Sequence, residues 1–521
     1  MKSSPVFHAA VCALSGAAYG LGYQLIGWGP LAWVSISPAL WVCGRSRPGQ
    51  AFLYGWLFGA ASFAAGCPWV ASTIAQFLNL PMAPAAALFG VFALGEGLQF
   101  ALALGLARWA AEGLQLRLGL SIPSALALAV PPFWVAVEWL YPEQFPKYMA
   151  MTQLFHLPLV QSLDLFGTAG LTWLICGFNV ALYAAFCDPK ARRAFAAMVL
   201  LAAANEGYGL LRMRQVDAEV ARKFLNGDMI RIGVPQGAQT LTERASDAKF
   251  PLYVSLTDLA LKNAPLDLVV WPESVFAPEV LGAGGPEGLS NPTLDGIPLQ
   301  EALRARLPER THLLLNGKAD APSASRLRSF NASLLTGPDR EFLGAALKRH
   351  LFPFGEYMPL AERFPILLRY SPRSSSYMRG RGHDVLRMKD GTRLGILICY
   401  EDLLPVYVRG SVRKGLDILV EQSSDIWFPG RLPYFHLHAG SLRAIENRKF
   451  MVRAVESGIS AMVDPVGRVT QSLGFGVRGA MTAQAARMGD GTLYSHTGDV
   501  LYFAAALLSL GLLVLRLSPT R

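Results

Sequence analysis

Three side chains in the second half of this sequence have the types needed to move an acyl group. They are Glu273 in LDLVVWPESVF, Lys348 in ALKRHLFPFGEYMPL and Cys399 in RLGILICYEDLLP. Cys399 is the only cysteine after position 187; Cys12, Cys43, Cys67, Cys176 and Cys187 all lie in the apolar first part of the chain. An unpaired cysteine is either a small buried hydrophobe or a nucleophile. To attack a carbonyl, a thiol must shed a proton held at a pKa of about 8.5. A carboxylate can take that proton, and a lysine can lower the thiol pKa and stabilise a tetrahedral oxyanion. Each residue also has a plainer explanation: Glu273 could cap a helix, Lys348 could be a solvated loop lysine, and Cys399 could fill a core. Lys318 in LLNGKAD is a rival lysine. His350, His436 and His438 include an HxH pair, but no carboxylate or thiol stands at ligand spacing, so no metal is expected.

The elements that would position these groups read as short strands alternating with helices between residues 228 and 487. MIRIGVPQ, LDLVVWPES, HLLLNGKA, SFNASLLTG, RLGILICYED and LDILVEQSSD read as strands, several buried on both faces. RKFMVRAVESGISAMVDPVGRV reads as two strands around a Ser-Gly turn, and 244–263, 402–414 and 433–448 have helical spacing. That alternation predicts a layered α/β domain. Glu273 and Cys399 fall at strand ends, while Lys348 and Glu356 share a loop punctuated by proline and glycine. No Walker motif or dinucleotide glycine fingerprint is present, so no nucleotide cofactor is expected.

The remainder of the chain is apolar. Of 521 residues 52% are hydrophobic and 16% charged, well below the quarter or so charged in soluble domains. Apolar stretches near 6–25, 28–43, 51–71, 83–107, 122–140, 160–186, 194–212 and 499–516 predict about eight membrane spans, the second being the shortest. The first resembles a signal peptide but lacks a clear cleavage motif and is read as retained. The predicted domains are therefore 1–212 in the membrane, 213–495 as the α/β catalytic domain, and 496–521 as a last span with a short tail.

Arg45, Arg47, Arg108, Arg117, Lys190, Arg192 and Arg193 occupy alternate loops, whereas the other loops hold only Lys147. The positive-inside rule makes the first set cytoplasmic and turns 213–495 outward. There an unpaired cysteine in an oxidising compartment favours a working thiol for Cys399. The net charge of +10 suits an anionic membrane surface and, without a basic-aromatic patch, does not point to nucleic acid. Glu96, Glu138, Asp164 and Glu206 lie within or near spans; hydrogen bonding between helices accounts for them more simply than a substrate path.

WPES, KRHLFPFGEYMPL and ICYEDLLP, in that order, resemble the nitrilase superfamily and its Glu-Lys-Cys triad. With the predicted spans, and with SSDIWF, RAIENRKFMVRAVESG, VDPVGRV and TLYSHTGD, the whole chain is similar to its membrane-embedded branch, the bacterial apolipoprotein N-acyltransferases. The resemblance implies a four-layer αββα sandwich on an α-helical transmembrane base. It makes Glu273 the general base, Lys348 the cation that stabilises the intermediate, and Cys399 the nucleophile, with Glu356, Tyr400 and Glu401 in support. The K-x-H-L-x-P-F-G-E context selects Lys348 over Lys318. It also implies a phospholipid acyl donor, a diacylglyceryl-cysteinyl apolipoprotein acceptor, no cofactor, an inner-membrane location facing the periplasm, and a monomer. The chain departs from the family pattern in lacking a tryptophan after PQ, in reading GAALKRH before the lysine, in EQSSD, and in Glu456 where asparagine is usual.

Both implied substrates are held in a bilayer by chains whose extraction costs about 0.8 kcal/mol per methylene. A catalytic domain fused to helices suits that constraint. The stretch 355–378 mixes apolar and basic residues and reads as either a mobile loop at the lipid surface or an ordinary excursion. Two other functions are consistent with parts of the sequence: a membrane-anchored amidase that uses water, and a transporter-like or scaffolding protein with an inactive nitrilase-like domain.

Overall fold

The computed structural model describes residues 4–518 except 25–26, 144, 241–248, 264, 286–287, 295, 306, 308–310, 323–326, 354, 362, 370–376, 383–384, 427–429 and 490. Two compact units are present: Met1–Arg214 with Thr497–Arg521, and Gln215–His496.

In the first unit, six described helices are long and apolar enough to cross a membrane: Pro5–Gln24, Met82–Leu118, Ile122–Leu140, Leu163–Cys187, Pro189–Leu225 and Val500–Leu517. Pro48–Gly66 and Trp69–Leu78, bent by 74°, make a seventh if taken as one span. The difference from the eight expected lies at 28–43. There a 3-10 helix, Gly29–Trp33, is followed by only a ten-residue helix, Ile36–Arg45. At 1.5 Å per residue that helix is about half the length a bilayer requires. Small residues let the other helices approach closely, because lipid supplies little hydrophobic drive between them. A β-carbon at Gly16 or Gly20 would lie 2.0 Å from a backbone oxygen of Phe58 or Ser62.

The acids within or near the spans are all engaged. Glu96 pairs with Lys147 at 2.8 Å, and Asp164 with Arg212 at 2.8 Å. Glu138 accepts from the Met149 amide (3.0 Å) and Thr172 (2.9 Å), and Glu206 faces His156 at 2.8 Å. Packing accounts for all four.

The second unit is built on two sheets. One has nine strands, including Met229–Gln236, Leu268–Val270, His312–Pro322, Leu327–Thr336 and Phe342–Leu347. The other has six: Val469–Leu473, Ser460–Val463, Met451–Glu456, Ile418–Ser424, Arg393–Ile398 and Val385–Arg387, in that order. Its three central strands run parallel. Ile230, Ile232 and Val270 of the first sheet pack against Ile396, Ile398, Val420 and Val452 of the second, forming the layer between them. Outward-facing residues meet helices on either side. Tyr253 and Ala260 of helix Lys249–Asn263 cover Val269 and Leu313. Tyr407 of Pro405–Val412 and Leu437 and Ala444 of Leu432–Asn447 cover Leu397, Leu419 and Met451. The order of layers is αββα. Burial on both faces explains why these strands read as continuous apolar runs rather than alternating ones.

Candidate active site

Chemistry-bearing residues gather where parallel strands end, as the αββα arrangement favours. Strand Leu268–Val270 runs into Trp271 and Pro272, and the proline stops it before Glu273. The next residue, Ser274, has φ of 59°, and its amide is held by the Asn316 side chain at 2.8 Å. Strand Phe342–Leu347 delivers Lys348, whose amide bonds to the Asn331 carbonyl at 2.9 Å. Both Glu273 and Lys348 are buried.

Lys348 Nζ lies 3.1 Å from Glu273 Oε1 and 2.8 Å from Glu356 Oε2. Asn331 ties the carboxylates together, its amide nitrogen donating to Glu273 Oε1 at 2.8 Å and to Glu356 Oε1 at 2.9 Å. Asn316 in turn donates to Asn331 Oδ1 at 3.2 Å. The Glu356 loop closes on itself through the Phe352 amide, 2.8 Å from Oε2. Burial alone would lower the Lys348 pKa; Glu273 and Glu356 reverse that and hold it well above its ordinary value. The lysine is thus a fixed cation.

Cys399 ends strand Arg393–Ile398 and begins a 3-10 helix, Cys399–Leu403. Its φ is 52°, a left-handed conformation that costs a residue with a β-carbon about 1–2 kcal/mol. The strain turns the chain sharply and leaves Cys399 partly exposed among buried neighbours. Desolvation pushes the thiol well above its usual pKa, Glu273 pushes it further, and Lys348 pulls the other way. Both Glu273 and Lys348 therefore act electrostatically on the Cys399 thiol.

Glu401 locks the turn. One oxygen accepts the amides of Arg349 (2.8 Å) and His350 (3.0 Å) and the other that of Ile398 (2.9 Å). It joins the lysine loop to the cysteine strand, and burial lifts its pKa to about 7. Tyr400 meets Phe352 edge to face, with ring centroids 5.6 Å apart. Lys318 lies opposite Asn331 on the neighbouring strand, half exposed and paired with Asp320 at 2.9 Å.

Sequence reasoning missed Asn331. The signal was a polar side chain between Phe330 and Ala332 in a strand, where asparagine is disfavoured without a partner. Glu456 accepts the Gln239 amide at 2.7 Å and is hydrogen-bonded by Tyr253 and Ser457, so its position is filled by a local network. In the 355–378 stretch, residues 362 and 370–376 lie outside the described residues, as do 241–248 after PQ and the WF of SSDIWF. The described part contains a 3-10 helix, Pro365–Arg369, and exposes Leu360, Phe364 and Ile366.

No carboxylate or thiol stands at ligand spacing from the HxH pair in the sequence, but folding brings two carboxylates to His436. Asp402, Glu421 and His436 offer ligand atoms within 4.8 Å of one another. The carboxylates arrive from the 3-10 turn and a neighbouring strand, which spacing along one helix cannot show. Arg453 sits between Asp402 and Glu421, so a cation already fills the space a metal would take.

The family described as carbon-nitrogen hydrolase matches residues 231–488, the span that holds both sheets. Residues 15–181 match the apolipoprotein N-acyltransferase N-terminal domain. An apolipoprotein N-acyltransferase of Azotobacter vinelandii is 30% identical over 458 residues, covering 85% of this chain and 82% of its own. One from Geobacter metallireducens is 28% identical over 512 residues, covering 95% and 92%. Among solved structures, an amidase from Nesterenkonia sp. aligns with 51% of this chain and 92% of its own at 17% identity and a TM-score of 0.35. The chain belongs to the apolipoprotein N-acyltransferase family.

Proposed function

We propose that this protein moves a fatty acyl chain from a phospholipid to the N-terminal amine of a diacylglyceryl-cysteinyl apolipoprotein, through a thioester on Cys399. The observation that carries the mechanism is the buried Glu273–Lys348–Glu356 cluster beside a strained, protonated thiol. Glu273 takes the Sγ proton as sulfur attacks the donor ester, and the oxyanion forms against Lys348. Collapse breaks the C–O bond, and the leaving lysophospholipid oxygen takes the proton back from Glu273. The acceptor amine then attacks the thioester, passing a proton to Glu273. The C–S bond breaks, the thiolate recovers a proton, and an amide is left. Ester, thioester and amide follow one another without a nucleotide or metal.

In this reading Asn331 and Glu356 hold Glu273 and Lys348 in register, and Glu401 keeps the cysteine turn against the lysine loop. Charge bias between spans supports cytoplasmic loops at 45–47, 108–117 and 190–193, with residues 213–495 facing the periplasm. Lys389, exposed in a turn, offers a labelling site: Lys389→Cys reacts with an impermeant thiol reagent in intact spheroplasts, and labelling only after lysis contradicts the orientation. The function itself is tested by mass spectrometry of lipoprotein N-termini from cells depleted of this protein. Loss of the amide-linked chain with retention of the diacylglyceryl group is expected; unchanged triacylated N-termini overturn the proposal.

A further inference from the structure

Behind Cys399 lies a second buried cluster that the proposed chemistry does not use. Its members come from four elements: Asp402 from the 3-10 turn, Glu421 and Asp425 from strand Ile418–Ser424 and the residue just beyond it, His436 from helix Leu432–Asn447, and Arg453 from strand Met451–Glu456. All five are buried. His436 is gripped at both ring nitrogens, Nε2 lying 2.9 Å from Asp402 Oδ1 and Nδ1 lying 3.0 Å from Asp425 Oδ1. Arg453 Nη1 reaches the other Asp402 oxygen at 2.6 Å and also pairs with Glu421. Neighbouring elements leave room for these groups. A β-carbon at Gly440 would lie 2.4 Å from Arg453 Nη1 and 2.6 Å from Asp402 Oδ2, and one at Gly458 would lie 2.4 Å from Asp425 Oδ2.

Burial disfavours a charged His436, but Asp402 and Asp425 outweigh it and push its pKa well up. Burial lifts Glu421 to about 8 against the pull of Arg453. His438, lowered to about 4 by burial and by Arg453, stays neutral. His436 and Arg453 thus both lie against Asp402, and His436 also against Asp425.

Asp402 is three residues from the nucleophile, on the same strained turn. Glu401 anchors one side of that turn to the lysine loop; Asp402 anchors the other to His436 and Arg453. We infer that His436, by bridging Asp402 and Asp425, is a positioning residue that fixes the Cys399 turn, and so aims the thiol at Glu273 and Lys348. A left-handed turn relaxes unless surrounding contacts hold it, and a displacement of about 1 Å can cost about 100-fold in rate. The inference rests on Cys399 being the nucleophile.

The experiment uses full-length protein in lipid nanodiscs and measures two quantities, the rate of acyl-enzyme formation and the KM for phospholipid. Wild type and Cys399→Ala run alongside; an adduct in Cys399→Ala condemns the nucleophile assignment, a result separate from those that follow. His436→Gln should slow acylation about 30-fold or more, with KM within about twofold. Asp402→Asn removes the other end of the same bridge and should slow acylation to a similar degree, with the His436→Gln/Asp402→Asn double variant losing less than the product of the two single losses. Gly440→Ala, which changes no charge, presses on Asp402 and Arg453 and should slow acylation about tenfold, also with KM unchanged; it carries the test if His436→Gln fails to fold. Acylation within about threefold of wild type in His436→Gln or in Gly440→Ala overturns the inference. So does a defect confined to KM, fully multiplicative losses in the double variant, or one bound metal ion per chain in the purified wild type.

Discussion

Two clusters of buried charge flank the cysteine turn, and they are balanced differently. In the Asp402–His436–Arg453 cluster both His436 nitrogens are engaged by carboxylates and the extra acid, Glu421, is lifted to about 8. In the other, a single fixed cation, Lys348, faces two carboxylates, Glu273 and Glu356. The first is buried, with His436 and Arg453 both held by Asp402, which suits holding a turn. The second has one more acid than base and lies beside a thiol whose pKa is raised partly by that excess. An unmatched carboxylate can accept a proton when sulfur attacks. On the proposed mechanism, the difference between scaffold and catalyst is one uncompensated charge near a partly exposed sulfur.

Removing that charge should have the largest effect. Glu273→Gln keeps the shape but cannot take the proton, and acyl-enzyme formation should fall by about 10³-fold, within the range general bases supply. Lys348→Met removes the oxyanion partner, worth about 3–4 kcal/mol in related sites. It also leaves two acids facing each other, so its thermal midpoint should drop as well, whereas that of Glu273→Gln should hold. Single-turnover rates and melting curves distinguish the two; equal rates for wild type and Glu273→Gln would break the comparison.

Asn331→Ala is the next test. It takes one donor from each carboxylate without changing charge, and the rate should fall about 10- to 100-fold with lipid affinity retained. A rise in KM alone would mean that Asn331 shapes the lipid site instead.

A pH series sharpens the contrast from the scaffold side. Glu401 and Glu421 have folded pKa values of about 7 and about 8, raised by burial, against about 4.3 in an unfolded chain. Each binds its proton more tightly when folded, so the stability it lends is complete below about pH 4 and lost as pH rises through 7 to 8. The thermal midpoint should decline by about 5 °C or more between pH 5 and 8.5, and Glu421→Gln should remove its share of the decline, which runs up to about pH 8 and stops there. A midpoint that is flat or rises over this range contradicts the assignment. The smallest effect is expected at Lys318→Met: this half-exposed lysine is paired with the buried Asp320. Its acylation rate should stay within about twofold of wild type; a loss matching Lys348→Met would mean the wrong lysine was chosen.

How much of this was legible in sequence follows from how local each signal is. Strands buried on both faces announce themselves as apolar runs, so MIRIGVPQ, RLGILI and LDILVEQ were readable. Strands Phe276–Gly285 and Gly288–Leu294, rich in glycine and proline, carry no such pattern and went unread. The apolar segment at 28–43 was read as a span because composition reports hydrophobicity and not where a helix begins; Gly29–Trp33 coils as 3-10 instead. Glu273, Lys348, Glu356 and Cys399 stood out because each closes or follows an element with its own punctuation. Asn331 and the partners of His436 did not, since what defines them is a neighbour at least 11 residues away in the chain.

The central claim is that Cys399 carries the acyl group between donor and acceptor. Intact-mass and peptide mass spectrometry of the purified protein incubated with phospholipid alone tests it most directly. One fatty-acyl mass should appear on the peptide containing Cys399, labile to neutral hydroxylamine, absent in Cys399→Ala, and discharged on addition of a diacylglyceryl-cysteinyl peptide. Discharge by water at the same rate without that peptide would make the protein a hydrolase, and transfer to the peptide with no adduct at Cys399 at any time would contradict the account.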